Sequence, residues 1–153
     1  LGGANLEGAI LKKAYIVEAD LKGANLEGAD LSEACLKDAC LKEAIFYEAY
    51  LEGANLEGAN LKRAYMVGAD LRDANLVKAN LNGAYLMEAI LLETDLSGAN
   101  LFDTGLCKND DRAKNSISDE ATVWDKPGQE TSLSVSDSTI EDLMPVHTIT
   151  VHN

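Results

Sequence analysis

No stretch of this chain approaches the roughly 20 apolar residues needed to cross a bilayer, and no secretory signal pattern is present. Histidine is almost absent: His147 and His152 both lie near the end and outside any recognised motif. That scarcity removes the usual general base. No Ser/His/Asp order, phosphate loop or catalytic pair of acids can be defended in its place. Cysteine is also scarce, with Cys35, Cys40 and Cys107 at a spacing that matches no zinc pattern. No cofactor or metal is expected, and the chain reads as a non-enzyme. Three thiols cannot all pair. Cys35 and Cys40 fall in outward places on neighbouring sides and should diverge around a corner, which argues against a bond between them. Free thiols point to a reducing, cytoplasmic compartment, while an exported or lumenal setting stays open. Threonine forms no outward ranks in the first 106 residues, which excludes an ice-binding solenoid.

What the chain has instead is a register of five, A-x-L-y-z, unbroken from Leu1 to Leu106. The large place is Leu in 19 of 22 occurrences, with Ile16, Phe46 and Met66 as exceptions, so the period has no slip. The small place, two before it, is Ala in 19 of 21, with Thr94 and Thr104 as exceptions, which puts some doubt on how closely the last layers stack. A helix advances about 140° over five residues, and the leucines would spiral over its whole surface. A strand puts places two apart on one face, but a straight strand would throw the next pair outward. The chain must therefore bend at y and z. Glycine at z in 3, 8, 23, 28, 53, 58, 68, 83 and 98 suits the positive φ of a type II turn, and the Glu, Asp, Lys and Arg at the remaining z places imply a second turn type. Short sides joined by regular corners make a coil, and coils stacked about 4.8 Å apart make a solenoid.

The period does not give the number of sides. Strings such as Ala54-Asn55-Leu56-Glu57-Gly58-Ala59-Asn60-Leu61 resemble the pentapeptide-repeat family, and the resemblance extends over residues 1–106. It implies an all-β fold, a right-handed quadrilateral parallel β-helix with four repeats per coil, hence about five coils and a rod about 25 Å long at the usual strand spacing. It also implies diverse functions, including a minority of members that mimic DNA.

The phase breaks after Leu106. Residues 107–130 are read as a C-terminal cap segment. Within it, Asp119-Glu120-Ala121-Thr122-Val123-Trp124 resembles a segment that often follows such arrays in cyanobacterial members, and Val123 and Trp124 are the candidate lid. Pro127-Gly128 marks a turn. Residues 131–153 form a tail in which Leu133 and Val135, then Ile149 and Val151, alternate as short strands do.

Stacking residues twenty apart exposes one unusual side. Ile45, Tyr65 and Tyr85 occupy its x places and Tyr47, Val67 and Met87 its y places, with Asn5, Asn25, Glu7 and Glu27 on the earlier coils. A contiguous apolar patch of that kind marks a contact surface, for a second copy in a homodimer or for another protein. The competing reading is cover by the chain's own Leu133, Val135 and Ile140. Lys22, Lys42 and Lys62 form a basic column, read as a solvated, partly paired face. The Asn columns are read as amides bonded to one another and to corner backbone. The net charge of −13 sets DNA and anionic membrane aside as direct partners by repulsion, and raises DNA mimicry as an alternative. The first reading is a non-catalytic protein-interaction scaffold.

Overall fold

The structure is a computed structural model, and it describes residues 1–106, 110–113 and 115–124. Cys107, the 131–153 tail with Leu133, Val135 and Ile140, and both histidines lie outside the described residues.

Sixteen parallel bridges join x places twenty residues apart, from Asn5↔Asn25 to Asn80↔Asn100. Twenty residues are four repeats, so one coil has four five-residue sides, and the x places 5–100 lie on five stacked coils. Each side is too short for an extended strand, and pairing is confined to single bridges. The large and small places point inward throughout. From Leu21 to Leu101 every large-place side chain is buried, and Ala columns of nearly zero exposure stand between them. The first coil differs: Leu6, Leu11 and Ile16 are only partly buried and Leu1 is 77% exposed.

Backbone polarity accounts for the five-residue unit almost completely. The small-place N–H donates to the preceding large-place carbonyl and closes the turn, as in Ala54 to Leu51 at 3.0 Å. The other bonds run between coils: x to the small-place carbonyl of the coil before, the large place to the x carbonyl of the coil after, and z to its y carbonyl. Asn55 to Ala34, Leu56 to Asn75 and Gly53 to Arg72 are examples at 2.9, 2.7 and 2.8 Å. Only the y N–H lacks a backbone acceptor in this scheme. Wherever x is Asn or Asp, its Oδ1 accepts that N–H, at all eleven such corners, from Asn5 with Glu7 to Asn100 with Phe102. The amide columns therefore bond to corner backbone as expected. The expected amide-to-amide ladder does not occur among the described residues. Each amide oxygen is already committed two residues along its own chain, and Asn25 reaches Glu7 with its Nδ2 instead.

The corners also correct the expectation of two turn types. Every z residue has positive φ, from Glu48 at 52° to Gly68 at 68°, including Lys13, Glu33, Arg63 and Lys78. No y residue does, which is the type II pattern at every corner. A non-glycine residue resists this conformation by about 1–2 kcal/mol. Stacking overrides the preference, because leaving the conformation would break the z-to-y bond between coils. Thr94 does not disturb the layers, whereas beyond Thr104 no bridge joins Gly105 to Tyr85 among the described residues. Their hydroxyls donate to the carbonyls of Leu71 and Leu101 at 2.7 Å, and Asp95 keeps its coil bond to Ala74 at 2.9 Å.

After Leu106 a 3-10 turn at Asp111–Ala113 crosses the end of the stack, with Arg112 donating to the Leu86 carbonyl at 3.0 Å. The chain then re-enters the register. Ile117 bridges Asp95 and Val123 bridges Asn100. Thr122, Val123 and Trp124 occupy small, x and large places: Thr122 is buried with Oγ1 donating to Leu96 O, Val123 exchanges bonds with Ala99 and Leu101, and Trp124 packs against the core.

Corner strain is measurable. Gly28 has φ of 60° with open space where a Cβ would sit, so Gly28→Ala is expected to cost about 1 kcal/mol by backbone strain alone. Glu18→Gly, at φ of 55°, is expected to be neutral or stabilising by up to about 1 kcal/mol, since relief of strain exceeds or matches the added unfolded-state entropy. Urea unfolding of both variants checks this; equal losses would show that the corner conformation carries no strain. At Asn75, replacement by Ala removes the acceptor for Val77 N–H. A loss of about 1 kcal/mol is expected, with Asn75→Asp retaining most of the wild-type stability.

Candidate interaction face

In-register parallel stacking places like side chains one strand spacing apart, and the tyrosines make this visible. Tyr65 and Tyr85 are bridged through their backbones, and their rings stack at 4.9 Å with 3° between planes. Tyr47 meets Tyr65 edge-on, at 6.2 Å and 60°. Ile45 and Val67 are half-buried on the same side, and Met87 is 57% exposed. The six sequence-selected residues thus share one side, but unequally. Tyr47 is only 7% exposed, and its hydroxyl is buried with no hydrogen-bond partner. Burial pushes its pKa up, with smaller contributions from Tyr65, Glu27 and Tyr85.

Two further features of this side follow from the register. Its x, y and z places carry Glu7, Glu27, Glu48 and Glu88 and no lysine or arginine. Moreover, Ile45, Tyr65 and Tyr85 have no side-chain carbonyl to offer the y residue. Among the described residues the N–H groups of Tyr47, Val67 and Met87 find none of the acceptors that Asn or Asp supplies elsewhere.

The other sides carry most of the ion pairs, beside exposed apolar residues such as Ile10, Tyr15 and Tyr50. Asp70 receives the Arg72 guanidinium at 2.8 Å, and Arg72 reaches back to Glu52 at 3.4 Å on the coil before. Lys13 with Glu33 and Lys37 with Glu57 are also pairs across one coil. In the basic column Lys42 pairs with Glu43 at 3.5 Å, while Lys22 and Lys62 are exposed. Cys35 and Cys40 are free thiols. Among the described residues no group of His, Cys, Asp and Glu could hold a metal ion, and no helix is long and apolar enough to cross a membrane. A groove of about 260 Å³, lined by Ile90, Leu92, Asp111, Arg112 and Asn115 among others, lies on a neighbouring side near the C-terminal end. Sequence reading passed over it, although Ile90 and Leu92 stand at x and y places as Tyr65 and Val67 do.

Four five-residue sides per coil, sixteen twenty-residue bridges and an Ala and Leu core define a parallel β-solenoid with a pentapeptide unit. The sequence model of the pentapeptide repeats matches in eight copies, over residues 1–28, 9–47, 44–76 and 64–101. The chain belongs to the pentapeptide repeat family, whose members are quadrilateral β-helices. Among solved structures it is similar to the pentapeptide repeat protein Rfr23 from the cyanobacterium Cyanothece 51142, at 34% identity over 80% of this chain and 89% of that one, TM-score 0.47. It is similar also to HetL, involved in heterocyst differentiation regulation in Nostoc sp. strain PCC 7120, at 32% identity over 77% of this chain and 58% of that one, TM-score 0.41. A pentapeptide repeat protein of the Arabidopsis thaliana thylakoid lumen shares 26% identity over 80% of this chain and 84% of that one, TM-score 0.44. A comparison with curated protein sequences finds no match.

Several aspartates are held below the usual carboxylate range: Asp70 and Asp110 by the guanidinium groups of Arg72 and Arg112, and Asp119 chiefly by the Gly98 N–H. A carboxylate with a depressed folded pKa stabilises the fold above its unfolded value of about 3.9, and that contribution is lost as pH falls through the lower folded value. The stability advantage of the wild type over Asp70→Asn is therefore expected to be constant above about pH 5 and to shrink below about pH 4. Paired urea titrations across that range test it; a difference that grows on acidification would contradict the assignment.

Proposed function

We propose that the protein is a non-catalytic scaffold that binds another protein chain, a copy of itself included, through the side formed by Ile45, Tyr47, Tyr65, Val67, Tyr85 and Met87. The observation that carries this reading is the tyrosine stack. Three aromatic rings from adjacent coils meet on one side, whereas the other outward apolar residues, such as Ile10, Tyr15, Tyr50 and Ile90, form no ring contact among the described residues. The y N–H groups beside Ile45, Tyr65 and Tyr85 lack the Asx acceptor found at eleven other corners, as do those beside Ile10, Tyr15, Cys35, Cys40, Tyr50 and Ile90. Large apolar surface gained at the expense of local satisfaction fits a contact surface. The same reading takes the winding as right-handed, as the family implies, and takes Val123 and Trp124 as the cap that shields the last coil. It places the protein in a reducing compartment on the strength of its free thiols; the thylakoid-lumen relative keeps a lumenal setting in view.

The second reading is mimicry of DNA, favoured by the charge of −13. The ion pairs count against it. Lys13, Lys37, Lys42 and Arg72 sit among the acids and break the negative surface into short patches, where a duplex presents unbroken rows of phosphate.

The test is the double variant Tyr65→Lys with Val67→Lys on the full chain. Both side chains point outward, so folding should persist. Self-association measured by light scattering, or binding to an identified partner, is expected to weaken at least tenfold, the loss typical of a desolvated aromatic anchor. Unchanged mass and unchanged binding would remove this side from consideration.

A further inference from the structure

We propose that the tyrosine side joins two copies of this chain, with their rods parallel and a two-fold axis running along the rods between the two faces. This rests on the reading of that side as a contact surface, and it names the partner and its orientation. Charge at the two edges of the side carries the argument. The chain reaches each x place of this column through one corner and leaves it through the next, so Tyr65 lies between the corner of Lys62 and Arg63 and that of Val67 and Gly68. Over the coils the leaving corners carry Glu7, Glu27, Glu48 and Glu88 and no base. The entering corners carry Lys22, Lys42, Lys62 and Arg63 against Glu43 and Asp103. One edge therefore has a net charge of −4 and the other of +2, with the apolar column of Ile45, Tyr65 and Tyr85 between them. The two remaining corner columns of the rod mix acids and bases and come to −1 each.

These edge charges are also left over from the pairing made elsewhere. Lys13 with Glu33, Lys37 with Glu57 and Arg72 with Glu52 neutralise one another along their own columns. On the tyrosine side none of the four glutamates enters an ion pair among the described residues, and neither do the exposed Lys22, Lys62 and Arg63. Within one copy the apolar column holds the two sets apart. A second copy brings them together.

A two-fold contact sets this side against itself in one of two ways. With antiparallel rods each edge meets its own kind, glutamate on glutamate and lysine on lysine, and like charges repel. With parallel rods the axis follows the x column, and each acidic edge meets the basic edge of the second copy at the same height. Lys22 and Glu27 differ in height by a quarter of a coil, roughly 1.2 Å at the usual strand spacing, so the two face each other across the contact. Lys42 is level with Glu48 in the same way, and Glu43 beside it is already neutralised by Lys42 at 3.5 Å. Along the axis Ile45 meets Ile45. The faces of Tyr65 and Tyr85 are turned to one another, so a second copy meets their edges, and attraction there comes from apolar burial that extends to Met87, 57% exposed in the single chain.

Sedimentation equilibrium of the full chain is the test. Self-association with a dissociation constant of roughly micromolar order is expected for so narrow a face. Lys22→Glu and Glu27→Lys each set like charges opposite at two symmetric places, and each is expected to weaken association about fivefold or more. Glu27→Lys makes the chain less negative, so its effect cannot come from overall repulsion. The double variant restores opposite charges and is expected to return to within about twofold of the wild type. Single variants that associate as the wild type does, or a double variant no better than the singles, overturn the parallel arrangement. A chain that stays monomeric at about 500 μM overturns the dimer. If that monomer binds a different protein and Tyr65→Lys with Val67→Lys abolishes the binding, the contact surface stands without the dimer; if that variant changes neither mass nor binding, both fall.

Discussion

At every fifth residue a backbone with φ near +60° turns the chain through a corner, and the N–H of that same residue closes a bond to the coil above. Geometry and pairing are thereby one constraint. If the corner relaxed, the inter-coil bond would be lost, and if the bond were lost the strained corner of a Glu, Lys or Arg would have nothing to hold it. The buried columns of Ala and Leu follow from this arrangement. A side of five residues leaves only two inward places, and the space between four sides is filled by one small and one large side chain from each.

That dependence explains which parts of the fold were legible in the sequence. The A-x-L register shows the inward places because burial tolerates few substitutes there, and even Phe46 and Met66 are large and apolar. The number of sides came only from the resemblance, since a period of five is equally compatible with other polygons. The corner conformation was misread at Lys13, Glu33 and Arg63, for residue type reports local preference while the conformation is imposed by the next coil. The Asn and Asp at x were legible as turn residues, yet their common task of accepting one N–H per corner needed the backbone to be traced.

The candidate face shows the same division. Stacking in steps of twenty was enough to bring Tyr47, Tyr65 and Tyr85 together on paper. It could not show that Tyr47 would lie edge-on and nearly buried while Met87 stayed exposed, because those differences come from ring packing across coils and not from register. Nor could it show the Tyr47 hydroxyl, a buried side-chain polar atom left without a hydrogen-bond partner among the described residues. Function in this architecture resides in such departures from the repeat, since the repeat itself produces a polar, self-satisfied wall.

The twenty-residue coil also makes the surface a grid with strict addresses. Loss or gain of four repeats would shorten or lengthen the rod by one layer and leave every later residue on its own side. Loss or gain of a single repeat would preserve the core equally well, because each side offers the same Ala and Leu, but it would turn everything beyond it through a quarter of the circumference. Tyr85 would leave the column of Tyr65 and the stack would be broken without any cost to burial. A chain of this kind can therefore lose its surface pattern while keeping its fold, and its length in repeats is part of its recognition code.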